Sequence, residues 1–283
     1  MFMKLSSCLI GLILSCSTLF AQGEVHFTPE DRQIFASYLS YIMPYRHLSA
    51  DSIREKTATF FLGKPYVSHT LEMTDNERLV VNLREFDCTT FVETVIALSR
   101  TLESDVPLFE TFISELRNIR YRNGVVAGYA SRIHYTSDWV YEQEQKGRIK
   151  NISALLGGTR EEKQINFMST HRQAYKQLVD DAALRDIISM EQKINARGGF
   201  AYLPKAQIAI AAPLIPHMAM IGFVTHINGL DISHVGFAYK NGNKLTFFHA
   251  SSAQKKVVVD EKTLSDYCKE QKSCAGILVS QIM

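Results

Sequence analysis

Past its first twenty residues the chain has no long apolar run, and it has almost no charge imbalance. Among 283 residues, 31 Lys and Arg stand against 29 Asp and Glu, a net +2. Without a second apolar stretch, a multi-span membrane protein is excluded. Without a basic excess or stripe, the electrostatic footprint of a nucleic-acid binder is missing. The hydrophobic share of 46% and the charged share of 21% are those of folded proteins, which excludes disorder as the main state. There is no internal repeat, no low-complexity tract and no clear linker.

The one apolar stretch reads as an address. Lys4 is a positive start, residues 5–20 carry no charge, and Ala21 is a small residue suited to the position before a cut. Residues 1–21 are therefore expected to be a signal peptide, and 22–283 a single domain. Two other readings stay open: lipid attachment at Cys16, in the context Ile13-Leu14-Ser15-Cys16, or an uncleaved anchor. All three place the body of the protein outside the cytoplasm, in the periplasm, with no stable membrane insertion expected unless the chain is lipidated.

Cysteine is scarce, five in all. Cys8 and Cys16 belong to the export segment. Cys268 and Cys274 lie close together and could pair in an oxidising compartment. Cys88 is left alone, either a buried small hydrophobe or a reactive thiol.

Capping and periodicity set the elements. Thr28-Pro29-Glu30-Asp31 reads as an N-cap, a first-position proline and acidic first-turn residues, opening a helix to about Ile42. Residues 86–102 form a second helix, with Phe91, Val92, Val95, Ile96 and Leu102 at helical spacing. Pro107 opens a third, with Phe109, Phe112, Ile113 and Leu116 on one face. Residues 171–195 are helical in composition, with a break expected near Asp180-Asp181. The C-terminal third changes character. Residues 218–226, 233–240, 244–250 and 255–259 read as strands, 260–269 as a short helix and 275–282 as a last strand, an antiparallel meander. The class is α+β, helices packed on an antiparallel sheet, with 121–216 a large insertion between a helix and the sheet.

Asn241-Gly242 between two strand-like runs signals a two-residue type I′ hairpin. That turn sets Lys240 opposite Asn243 and, counting back, Gly236 opposite Phe247 and His234 opposite His249. Alternation puts these pairs on one face, with the two imidazoles about 4.5–5.5 Å apart at Cβ. Cys88, just after the N-cap candidate Asp87, stands in the first turn of its helix. There the positive end of the helix dipole is expected to lower the thiol pKa. The free N–H of Cys88 itself is available to an oxyanion. Glu93 stands too far along for a capping box, which would want it at Thr90. A thiol, an imidazole base and a group that orients the base are the minimum for thiol acyl transfer.

The runs Asp87-Cys88-Thr89-Thr90-Phe91-Val92, His234-Val235-Gly236-Phe237 and Phe248-His249-Ala250-Ser251 resemble the three signatures of the NlpC-type papain-like cell-wall cysteine hydrolases. The stretches 86–100 and 121–139 are similar to the exported N-acetylmuramoyl-L-alanine amidase-like branch. The resemblance covers most of the chain after residue 21. It implies a papain-like core with Cys88 as nucleophile, His234 as general base and acid, and His249 orienting His234. It implies hydrolysis of the lactyl–L-alanine amide of muropeptides, anhydro-muropeptides in particular, without metal or other cofactor. Thr89-Thr90 departs from the usual Ser-Gly, and the interval of about 145 residues between Cys88 and His234 is far longer than in a minimal domain. This favours the amidase over the endopeptidase branch.

By the same resemblance, Ser131 and Arg132 are expected near the stem peptide and Trp139 near the sugar; Tyr129, His134 and Tyr202 are further candidates for lining, with a structural hydrogen-bonding role the stronger reading of His134. Arg can hold a carboxylate and an aromatic face a sugar, although packing is as good an account of Trp139 and the tyrosines. His217 and His226 lack metal-ligand spacing. The alternatives are a γ-D-glutamyl–diamino-acid endopeptidase, a non-catalytic exported wall-binding protein, and a zinc hydrolase using His234 and His249.

Overall fold

The structure is a computed structural model describing residues 25–74 and 76–283. The expected signal peptide, with Cys8 and Cys16, lies outside the described residues. Among those described, no helix is long and apolar enough to cross a membrane.

The N-terminal half is helical. After the two-residue strand β1 (Val25–His26) come α1 (Pro29–Ile42) and α2 (Ala50–Phe60), then β2 (Leu79–Val80), which pairs in parallel with β1. The carboxylate of Asp31 ties these pieces together. It accepts from the Thr28 N–H at 2.8 Å, closing the start of α1, and from the Leu83 N–H at 2.9 Å. The helices α3 (Cys88–Thr101) and α4 (Phe109–Arg120) follow. Cys88 thus stands first in its helix, with Asp87 as N-cap.

The insertion carries α5 (Thr136–Gln145), the short strands β3 (Ile149–Asn151) and β4 (Thr159–Glu161), then α6 (Phe167–Thr170) and α7 (Asp181–Asn195). The helical run expected over 171–195 breaks where the acidic pair stands. Residues 172–179 form short 3-10 turns, and the Asp180 carboxylate caps α7 by accepting from the Ala182 N–H at 2.9 Å. After β5 (Phe200–Pro204) and α8 (Ile208–Ala211) come β6 (Met220–Thr225), β7 (Ile232–Asn241), β8 (Lys244–Ser251), β9 (Lys256–Val259), α9 (Leu264–Glu270) and β10 (Cys274–Ile282).

The sheet is antiparallel throughout, in the order β4-β5-β10-β6-β7-β8-β9, with β3 also on β10. Only β6 to β9 form a meander; β10 returns to lie between β5 and β6. Alternation sorts the two faces. Val235, Phe237, Phe248 and Leu278 pack with the helical half around Phe91 and Phe112. Ala238, Phe247, Phe223 and Ile277 pack with α8 and α9. A third cluster of Tyr129, Tyr135, Leu178, Ile187 and Met190 holds the insertion together. Cys268 and Cys274 are disulfide-bonded, joining α9 to the start of β10.

The hairpin register differs from the expected one. Asn241 pairs with Lys244, Ala238 with Phe247 and Phe237 with Phe248. The two-residue turn is therefore Gly242-Asn243, with Gly242 at φ +60° in the first central position, as a type II′ turn requires. The slip is two residues, so every side chain keeps its face. The next pair along this register sets Gly236, not His234, opposite His249. His234 and His249 become diagonal neighbours on the same face.

Candidate active site

Three adjacent strands supply a line of polar side chains. His234 on β7 and His249 on β8 meet at 2.7 Å between Nε2 and Nδ1. His249 Nε2 lies 3.2 Å from Oδ2 of Asp260, the residue after β9. The diagonal contact depends on Gly236, beside which the Cβ of His249 passes; a Cβ at Gly236 would sit 3.2 Å from it. A β-bulge precedes His234: Phe223 pairs with His234 but Val224 with Ile232, leaving Ser233 as the extra residue. Bulges commonly re-aim a side chain next to a site. Phe223, Phe247 and Tyr267 surround the two imidazoles, with Tyr267 centroids 6.2 Å from His234 and 5.8 Å from His249. This aromatic burial holds both rings neutral, lowering His234 to about 4 and His249 to about 3.

Asp87 and Thr90 make a reciprocal cap at the start of α3. Asp87 Oδ1 accepts from the Thr90 N–H at 2.8 Å, and Thr90 Oγ1 accepts from the Asp87 N–H at 2.9 Å. A threonine hydroxyl thus completes the box expected to need Glu or Gln. Glu93, set aside for that purpose, is buried and receives the Arg120 guanidinium at 2.7 Å.

The thiol of Cys88 rests beside β7. The Thr89 hydroxyl lies 4.0 Å from Sγ, and the backbone of Val235 and of Thr89 favours the thiolate. The sulfur is therefore against the residue next to His234, without a hydrogen bond to its ring. Catalytic hydrogen bonds commonly tighten only when substrate is present. The expected low thiol pKa is reversed: burial, and then the Asp87 carboxylate, push it up to about 11 against those backbone contacts. The cap that forms the helix start brings a negative charge to the thiol, and with burial it outweighs the dipole.

Cys88 opens into a cavity of about 520 Å³ lined also by Tyr66, Glu72, Tyr129, Arg132, His134 and Gln177. Tyr66 and Glu72 were not singled out in the sequence; Tyr66 stands in a short bridge to Phe86 that carries no periodic signal. Burial, and then the nearby Cys88 and Asp87, raise the Tyr66 pKa, so its hydroxyl stays a donor. His134 packs against Tyr129 with the two rings tilted, their centroids 4.4 Å apart, and its Nε2–H donates to the Tyr129 carbonyl at 2.8 Å. Burial, with Arg132 nearby, holds His134 neutral, lowered to about 3. Its Nδ1 is then an acceptor.

Other expected lining residues have different work. Ser131 does not line the cavity; its hydroxyl donates to the Gly128 carbonyl at 2.7 Å and accepts from the Ala127 N–H at 3.0 Å, closing its own turn. Arg132 does line it, but its guanidinium lies 2.6 Å from Glu72 and 3.4 Å from Glu77, so its charge is already balanced. Trp139 is only 4% exposed, against a small neighbouring slot of about 20 Å³ shared with Thr89, His134 and Val235. It offers packing rather than an open platform for a sugar. Tyr202 sits on β5 opposite Thr159 and does not reach the cavity, because the insertion carries that strand to the other side of β10. Among the described residues, no three His, Cys, Asp or Glu side chains are gathered as a metal site.

Among solved structures, an N-acetylmuramoyl-L-alanine amidase from Bacteroides uniformis ATCC 8492 is similar over 82% of this chain and 98% of its own, at 36% identity and a TM-score of 0.78. A Bacteroides fragilis protein named as a xylanase is similar at 34% identity over 80% of this chain and 99% of its own, TM-score 0.75. A Legionella pneumophila protein at 22% identity, covering 89% and 95% with a TM-score of 0.68, shares the fold alone. No curated protein matches in sequence. The family model for N-acetylmuramoyl-L-alanine amidase-like proteins matches residues 56–277, a span that holds Cys88, His234, His249 and Asp260. The chain belongs to the AmiA-like, N-acetylmuramoyl-L-alanine amidase-like family.

Proposed function

We propose that the protein is a thiol-dependent, metal-independent amidase of papain-like NlpC type. It cleaves the bond between the lactyl group of N-acetylmuramic acid and L-alanine in soluble wall fragments, anhydro-muropeptides above all, after export to the periplasm. The observation that carries this reading is a free thiol at a helix start, opening into a cavity and lying beside strand β7, whose His234 is hydrogen-bonded to His249 of β8.

With thiol and imidazole both neutral at rest, the proton leaves sulfur as the bond forms. His234 takes it while Sγ of Cys88 attacks the lactyl carbonyl. The N–H of Cys88, at the end of α3 where such groups are free, faces the developing oxyanion. His234 then gives the proton to the departing amine of L-alanine. Water, losing a proton to the same ring, attacks the thioester and releases the acid.

A glycosidase, which the name of the Bacteroides fragilis neighbour would suggest, needs two available carboxyl groups. The carboxylates on this cavity are engaged: Glu72 with Arg132 and Gln177, Asp87 with the α3 cap, Glu93 with Arg120.

The test is a mass spectrum of products from a defined anhydro-muropeptide. Free anhydro sugar and an intact stem peptide are expected, with loss of turnover in iodoacetamide and not in chelator. Release of a dipeptide instead would move the protein to the endopeptidases. Fragment binding without turnover, equal in wild type and Cys88→Ala, would make it a wall-binding protein.

A further inference from the structure

We propose that Asp260 is a positioning residue that fixes which nitrogen of His234 carries its proton. The inference rests on the thiol-hydrolase reading of Cys88 and His234, and deepens it.

A carboxylate oxygen accepts only, and a neutral imidazole has one donor and one acceptor nitrogen. Oδ2 of Asp260, 3.2 Å from His249 Nε2, therefore requires the His249 proton on Nε2. That leaves Nδ1 of His249 as an acceptor, so the 2.7 Å contact is donated by Nε2–H of His234. The unprotonated nitrogen of His234 is then Nδ1, outside the chain and available to take a proton from Cys88. With no carboxylate at its end, the pair can equally carry both protons on Nδ1, and His234 is then unable to act as a base through that atom.

The site is built to keep this polarity. His249 is 1% exposed and Asp260 8%, so water does not compete for the contacts. Asp260 is fastened at both ends: its carbonyl accepts from the Thr246 hydroxyl at 2.5 Å, and Oδ1 accepts from the Lys262 N–H at 2.8 Å. The second contact gives the proposal a sharp consequence. In Asp260→Asn the side-chain oxygen is held by that N–H, which turns the NH₂ group toward His249 Nε2. A donor there reverses the chain, moving the protons of His249 and His234 to Nδ1.

The conservative variant is therefore expected to be worse than the truncation. Asp260→Asn should lose about 10³-fold or more in kcat with KM little changed, as a wrong tautomer does in catalytic triads. Asp260→Ala, which leaves the tautomers unforced, should lose about 10-fold. A merely structural role predicts the opposite order. Histidine ¹⁵N spectra supply a readout independent of substrate: Nε2–H signals for both rings in the full-length wild type, Nδ1–H signals in Asp260→Asn. Thermal unfolding of each variant shows that it is folded. Asp260→Asn more active than Asp260→Ala, or unchanged ring tautomers in the folded Asn variant, overturns the proposal. If wild type turns over no muropeptide, the amidase reading falls, and the spectra still decide the role of Asp260.

Discussion

Gly236 is the position where a single methyl group should misalign the candidate base. A Cβ there would overlap the carbonyl oxygen of Phe248, lie 3.0 Å from Cδ2 of Phe247 and 3.2 Å from Cβ of His249. Carbon atoms rest about 3.5–4.0 Å apart, so Gly236→Ala must open β7 from β8 by about 0.5–1 Å. Carried to the imidazoles, that opening stretches their 2.7 Å hydrogen bond to about 3.2–3.7 Å, at or beyond the limit for such a bond. Overpacking of this kind costs about 1–3 kcal/mol. For a chain of this size that is about 2–4 °C in Tm for each kcal/mol. A displacement near 1 Å in a catalytic group is worth about 10² in rate. Gly242→Ala is the control. Nothing lies within 4 Å of the added Cβ, but φ is +60°, so it should lower Tm by strain in the turn and leave kcat intact. The assay is release of stem peptide from an anhydro-muropeptide, with thermal unfolding run beside it. A folded Gly236→Ala protein with wild-type kcat would refute the claim that the β7–β8 approach aligns the rings.

Three further predictions concern charge. Because burial lowers His234 to about 4, the ring is an unprotonated base above that pH. The acid limb of kcat/KM should therefore fall near pH 4, and a limb near 6.5 in a pH–rate profile would contradict the buried base. His134, His234 and His249 are all depressed, to about 3, 4 and 3, so the unfolded chain binds more protons below its own histidine pKa of about 6.5. Stability should then drop as pH falls from about 6.5 toward 4, by at most about 1.4 kcal/mol per pH unit for each ring; urea melts at pH 7 and pH 5 that coincide would deny it. Finally, Arg120→Ala leaves Glu93, 2% exposed, as a buried unpaired charge and should cost about 3–5 kcal/mol. Joint replacement by Glu93→Leu and Arg120→Met should recover most of it in the same urea titration.

Signals confined to neighbouring residues were legible in the sequence. Pro29 and the acidic first turn marked α1, Asp87 marked the start of α3, and the spacing of Phe91, Val92, Val95 and Ile96 marked its buried side. The strands β3 and β4 escaped because three residues each show no alternation that can be told from a loop. What failed more instructively was any property set by distant chain. The thiol pKa follows from burial by the sheet and from the cap's own carboxylate, not from the helix end alone. Arg132 looked like a free cation until Glu72 and Glu77, far upstream, met it. Asp260 read as the opening of a helix; its place beside His249 exists only once β9 has paired with β8.

The hairpin shows why an error in detail left the site standing. The Asn-Gly signal sets the turn on Asn241-Gly242, the structure has it on Gly242-Asn243, and the cross-strand partners of both histidines differ accordingly. Strand side chains alternate with a period of two, and the slip is two residues, so both rings stayed on the face where Phe247 and Tyr267 enclose them. A slip of one would have sent His249 to the α3 side and ended the argument. The exact pairing matters to the fine geometry instead. With His249 across from Gly236 rather than His234, the ring passes a residue that has no Cβ, and this lets the two imidazoles meet along a diagonal. The parity of the strand thus selects which residues can meet, and one glycine sets how closely they do.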